Sequence, residues 1–290
     1  MFKQGKIFVM FSIILVLLQT KEVLSQVIYI SNCAQLQGIE SNLSGTYYLS
    51  NDVDCSSIVN FHPIGNNTRR FVGVFDGQNY TIKSLYINYP FCYNIGIFGV
   101  TQNATIRNVN LYNMTVITTN YHNIGAMVGI MLNTSIMQNV HLLGNSSASN
   151  LVSSNSSYVG GLAGAADHST ICDCTVSYTL VQSTGIGSYS IGGIVGILQY
   201  TSVMFNCHNF GFSNNSNAIV AIGSCEIGGL VGYVYQASMW KSGIFQGTVC
   251  GNAPNNGNGN FVGGVAGIIR EPPVPVYQLY AHSSVNVNNM

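Results

Sequence analysis

The chain is short of charge. Asp, Glu, Lys and Arg together make up 6% of its 290 residues, nine of each sign, and the formal net charge is zero. Nucleic acids and anionic membranes recruit proteins through clustered cations, so neither is an expected partner. Beyond the first 25 residues no stretch is long and apolar enough for a membrane helix. No lipid-anchor tail is expected after the last repeat. The six His form no His-Glu-x-x-His array, which excludes that metalloprotease chemistry. Gly-x-Ser-x-Gly and a Gly-Lys-Ser/Thr phosphate loop are also missing. Gly185-x-Gly187 lacks a third glycine at the spacing a nucleotide needs.

Carboxylates are scarce too. After residue 25 they number eight: Glu40, Asp52, Asp54, Asp76, Asp167, Asp173, Glu226 and Glu271. Glycoside hydrolysis needs two of them about 5–10 Å apart. Only Asp167 and Asp173 fall within one repeat. Asp52 and Asp54 alternate on a strand and share a face, but no third oxygen ligand for calcium stands nearby. Asp76-Gly77 is a turn pair. No catalytic, metal or cofactor residue is therefore assigned.

What the chain does have is a targeting segment and a repeat. Lys3 and Lys6 precede an apolar run from Ile7 to Leu18, with small residues at Val23 and Ser25. This reads as a signal peptide over 1–25, with cleavage after Ser25. The mature chain then carries six basic and eight acidic residues, a net of −2. Secretion gives meaning to nine Asn-x-Ser/Thr acceptors at Asn42, Asn66, Asn79, Asn103, Asn113, Asn133, Asn145, Asn155 and Asn214.

The repeated phrase is clearest in Val159-Gly160-Gly161-Leu162-Ala163-Gly164. It recurs from Ile191, Ile227 and Val262, and more loosely from Ile95 and Ile124. The starts lie 29, 35, 32, 36 and 35 residues apart, the period of a solenoid. Each phrase is followed by an aliphatic segment and then a small polar residue: Asn108, Asn139, Asp173, Asn206 and Ser242. Such residues tolerate left-handed backbone and suit a bend between strands. Polar segments near 112–123, 144–158, 178–190, 210–226 and 247–261 read as loops on one side of the solenoid. Tyr112, Tyr121, Tyr158 and Tyr189 in them either bind sugar or protein or cover loop backbone.

This constellation resembles the GLUG repeat, named for its Gly-Leu-small-Gly core; Gly161 to Gly164 and Gly229 to Gly232 match it best. Phe61 to Gly65 and Phe71 to Gly77 look like its lead-in. The resemblance covers roughly residues 28 to 290. It implies an all-β fold, a right-handed parallel β-helix of about six or seven coils. Relatives implied by it are surface adhesins and repeats beside the protease domain of immunoglobulin-A-cleaving metallopeptidases. It implies no catalytic residues in the repeats.

The expected organisation is a signal peptide (1–25), an N-terminal cap (26–60) and repeats (61–290). The cap covers strand edges that would otherwise pair with another chain. Eight cysteines behind a signal peptide permit disulfides. Cys33 and Cys55 flank the cap and are a candidate pair. Cys174 and Cys207 hold equivalent places in neighbouring coils and either pair or form an apolar ladder. Pro272-Pro273-Val274-Pro275 interrupts the last unit. The functional expectation is a secreted or surface-exposed, non-catalytic adhesion module for an extracellular protein or glycan. A polysaccharide-active lyase or hydrolase and a structural coat component are the alternatives.

Overall fold

A computed structural model describes residues 26–290 except 91–92, 120–122, 146–149, 156–157, 186–188, 211–216, 223–224, 247, 254–260, 272–276, 282–283 and 290. The signal segment, Tyr121, Cys92, Asn214 and the 272–275 Pro-rich run lie outside the described residues. So do the side chains of Tyr189, Cys225 and Cys250.

Among the described residues every strand pairing is parallel, and the strands fall into sheets of 13, 7, 6 and 6 members. The chain is an all-β solenoid of about six turns. One coil shows the path. Val159–Gly160 lies in one six-stranded sheet and Ala163–Asp167 in the other. Thr170–Cys172 and Thr175–Ser177 lie in the 13-stranded sheet, and Thr179–Ser183 in the seven-stranded sheet.

The repeated phrase therefore turns a corner. Ile95, Ile124, Val159, Ile191, Ile227 and Val262 pair in register as one column. Three residues separate this column from the second strand, which begins at Val128, Ala163, Val195, Val231 and Ala266, again in register. The corner aliphatics Met127, Leu162, Ile194 and Leu230 are fully buried. Gly161 is needed because coils approach closely here: a Cβ on it would stand 2.2 Å from the Gly193 carbonyl.

The bend is a phase shift. Along Thr105–Tyr112 the buried residues are Ile106, Val109 and Leu111, so the two-residue alternation slips by one. Asn108, at φ 53°, sits at the slip. Asn139, Asp173 and Asn206 repeat it at φ 53°, 56° and 50°. In the last of these bends the structure corrects the expectation. Met204 pairs with Met239 and Phe205 with Trp240, which puts Lys241, not Ser242, opposite Asn206. Lys241 has φ 49°, and Ser242 is buried one place on, its hydroxyl donating to the Trp240 carbonyl at 3.1 Å.

The segments expected to be loops carry a sheet of their own. Thr115–Ile117, Asn150–Ser154 and Thr179–Ser183 are consecutive strands of the seven-stranded sheet, with Val116, Val152 and Val181 buried in one column. Their alternating apolar residues are short enough to hide among the Asn and Ser around them.

The N-terminal segment is continuous with the solenoid. Val27–Ile30 pairs with Thr46–Leu49, which pairs with Val74–Asp76. Between them run a helix, Cys33–Gln37, and a 3-10 turn, Gly38–Ser41, that bury Leu36 and Ile39. Asn32 caps the helix by accepting from Gln35 N at 2.9 Å. Cys33 and Cys55 form a disulfide with Cα atoms 5.1 Å apart. Phe71, Phe75 and Phe98 close the core beneath, with ring centroids 4.6 and 5.5 Å from Phe98.

Candidate functional site

The described surface carries a cavity of about 410 Å³ where the lead-in stretch meets the first full coil. His62, Pro63, Gly65, Asn66, Asn67, Thr68, Tyr93 and Asn94 line it. Its position follows from anchoring on both sides. Phe61 and Ile64 are buried, and Ile64 bridges to Phe98. Gly65 turns the chain with φ 73°, a left-handed conformation that costs glycine nothing. Asn66 Oδ1 then accepts from Thr68 N at 3.0 Å, Thr68 Oγ1 at 2.8 Å and Arg69 N at 3.0 Å, fixing the loop.

The helical segment clamps this loop from behind. Gln37 Nε2 donates to the His62 carbonyl at 2.9 Å, and His62 N donates to Gln37 Oε1 at 2.8 Å. Gly65 N donates to Glu40 Oε2 at 2.7 Å, and Arg69 pairs with Glu40 at 3.4 Å. An amide ladder forms the wall: Asn123 donates to Asn94 at 2.7 Å, and Asn94 donates to Asn67 at 2.9 Å. The His62 ring meets Tyr89 edge-on at 4.8 Å. Tyr93 is 69% exposed at the rim.

All eight carboxylates of residues 26–290 have structural partners. Glu40 holds Gly65 and Arg69, as above. Asp52 accepts from Thr81 N at 2.9 Å, and Asp54 accepts from Ser56 N at 2.9 Å and pairs with Lys83 at 3.4 Å. Asp76 is buried and takes Arg107 at 2.7 Å, Gln78 N at 2.9 Å and Asn108 at 3.2 Å. Burial alone would raise its pKa, but these donors hold it below the ordinary carboxylate value. Asp167 contacts His168 and accepts from Gln199 at 3.2 Å. Asp173 accepts from Asn206 at 2.7 Å and Gln138 at 3.4 Å. Glu226 accepts from Ser190, and Glu271 from Gln236, both at 2.9 Å. No two of these eight share a partner among the described residues. Asp167 pairs in register with Leu132 and Gln199, whereas Asp173 sits in the left-handed bend column, so the two belong to different corners.

Among the described residues the cysteines divide in two. Cys33 and Cys55 are joined, whereas Cys172, Cys174 and Cys207 are buried thiols. Cys174 and Cys207 do stack in adjacent coils, but each Sγ turns to a carbonyl two residues back, Cys172 O at 3.1 Å and Phe205 O at 3.2 Å. In the structure both thiols are free. Burial pushes Cys172 up to about 12 and Cys207 well above the usual thiol value, which keeps both protonated and inert. Among the nine acceptor asparagines, Asn42, Asn66, Asn79, Asn103, Asn113, Asn133, Asn145 and Asn155 are exposed. Tyr112 and Tyr158 lie at coil edges, Tyr158 at 36% exposure.

No protein-family model matches the chain. Over 240 residues it is 28% identical to an immunoglobulin A1 protease of Streptococcus sanguinis, a match covering 81% of this chain and 12% of that protein. The immunoglobulin A1 protease of Streptococcus pneumoniae is likewise 28% identical, over 80% of this chain and 11% of its own length. The chain thus spans little more than a tenth of these curated relatives. A Bacteroides ovatus protein whose crystal structure bears the name "putative immunoglobulin A1 protease" superposes with a TM-score of 0.56 at 15% identity, covering 91% of this chain and 85% of that one. That likeness supports the β-solenoid fold. Local sequence pattern does not announce the cavity, because its described lining comes from two segments, one of them clamped by residues 25 positions upstream.

Proposed function

We propose that the chain is a secreted or surface-exposed, non-catalytic adhesion module, built on GLUG-type β-helix repeats, for an extracellular protein or glycan. The observation that carries this reading is that each of the eight carboxylates accepts from its own structural partner and none is among the described residues lining the cavity. Hydrolysis or elimination would need two of them converging on one cavity. The sequence likeness fits the same picture, because it matches a short segment of much longer proteins. No helix among the described residues is long and apolar enough to cross a membrane.

Expression of the full chain in a eukaryotic secretory host tests export: the mature protein should begin near Gln26 and carry N-glycans. Met1 retained in a membrane fraction would contradict it. Mature protein on an array of glycans and extracellular proteins tests binding. Saturable capture by one class supports the module, whereas self-association without capture favours a structural coat.

A further inference from the structure

We propose that the cavity between the lead-in loop and Tyr93 is a binding site for a neutral pyranose unit of a glycan. This rests on the binding-module reading above and names its ligand and place. The volume, about 410 Å³, lies in the range of small-ligand sites, roughly 300–1,000 Å³. None of its described lining residues is an Asp, Glu, Lys or Arg.

The polar groups are set before any ligand arrives. Asn66 gives its oxygen to three loop donors, and Asn67 gives its oxygen to Asn94. The NH2 group of Asn67 meets no acceptor among the described residues, so an amide donor is left at the cavity for ligand hydroxyls, and that of Asn66 joins it wherever Asn66 carries no glycan. The ladder Asn123–Asn94–Asn67 points its donors one way along the chain of bonds, which polarises the last member. The clamp from Gln37 and Glu40 removes loop entropy that binding would otherwise cost.

Two features select a neutral sugar over an anion. The Gly65 N–H, the natural backbone donor to an anion, is taken by the Glu40 carboxylate at 2.7 Å. That carboxylate in turn pairs with Arg69 at 3.4 Å, and Arg70 donates to the Asn67 carbonyl and to Gln102, so both cations beside the loop are already engaged and no anion is called for. Tyr93, 69% exposed at the rim, supplies the flat apolar surface against which the C–H face of a pyranose packs. Tyrosine with asparagine and glycine is the composition of surfaces that bind through rigid rings and adaptable amides.

The test uses residues 26–290 from a bacterial periplasm, unglycosylated so that Asn66 on the rim is bare. Methyl glycosides of glucose, galactose, mannose and N-acetylglucosamine are titrated by calorimetry and by saturation-transfer NMR, beside galacturonic acid and N-acetylneuraminic acid. The expected result is millimolar or tighter binding of at least one neutral glycoside, weakened at least tenfold in Tyr93→Ala and in Asn67→Ala. Tyr200→Ala, another exposed tyrosine, should leave it unchanged. Preference for the acidic sugars, no binding of any neutral glycoside, or binding indifferent to Tyr93→Ala would overturn the assignment. If those failures occur while the protein is still captured on the array, the cavity assignment falls and the module reading stands.

Discussion

Leu162 sits directly over Ile194, one coil apart, and the Ile194 carbonyl receives two N–H groups from the coil before it. Leu162 N donates at 3.0 Å and Ala163 N at 3.1 Å. The same fork recurs where Met127 and Val128 donate to the Leu162 carbonyl, both at 3.0 Å, and where Ile194 and Val195 donate to Leu230, at 2.9 and 3.0 Å. Each Gly-Leu-small corner thus satisfies its own backbone through the next copy. That is why the phrase repeats: a corner without a matching neighbour leaves two buried donors unpaired.

Leu230 belongs to that column and is fully buried. Leu230→Ala should lower stability by about 2–5 kcal/mol through lost contacts and the cavity left behind. Leu230→Asp should cost at least as much. A thermal unfolding midpoint equal to that of the wild type would remove Leu230 from the core.

Two glycines give a matched contrast. Gly161→Ala drives a Cβ toward the Gly193 carbonyl at 2.2 Å and should destabilise by about 1–3 kcal/mol. Gly38 has φ −64°, and a methyl group added there would have no neighbour within 4 Å. Gly38→Ala should therefore be neutral or stabilising, by about 0.4–1 kcal/mol. Chemical denaturation of both variants checks the sign, and equal effects would contradict the close coil contact.

Asp76 sets an acid limit. Its folded pKa is depressed, despite burial, by the Gln78 N–H and by Arg107 and Asn108. A depressed carboxylate contributes stability that is present above its unfolded value, near 4, and lost as pH falls through the folded value. The unfolding midpoint should drop below about pH 4. Asp76→Asn should be less stable at neutral pH and show a shallower acid slope; an identical slope would exclude Asp76 as its source.

The Cys33–Cys55 disulfide closes a loop with a sequence separation of 22. Its loss in Cys33→Ser/Cys55→Ser should cost about 3 kcal/mol. Mass spectrometry of alkylated native protein should leave these two unlabelled. Labelling of both without denaturant would contradict the bond.

Much of this architecture was legible in the sequence. The phrase column from Ile124 to Val262 and the burial of Leu162, Ile194 and Leu230 follow from spacing alone, because a parallel coil repeats its register at each turn. Lys241 was not legible: lysine rarely takes left-handed backbone, and only the pairing of Phe205 with Trp240 places it at the bend. The strands within the polar segments were hidden because one inward valine per coil leaves little alternation to read. The cavity depends on Gln37 and Glu40 reaching His62 and Gly65, contacts that no local pattern announces.

The central claim, binding without turnover, is tested most directly by product analysis. Mature protein is incubated with pectin, alginate, chitin and any ligand captured on the array, and products are followed by reducing-sugar release, unsaturated-product absorbance and mass spectrometry. The ligand should be recovered intact. Cleavage or elimination that disappears in Asp167→Asn or Asp173→Asn would contradict it and make the solenoid an enzyme.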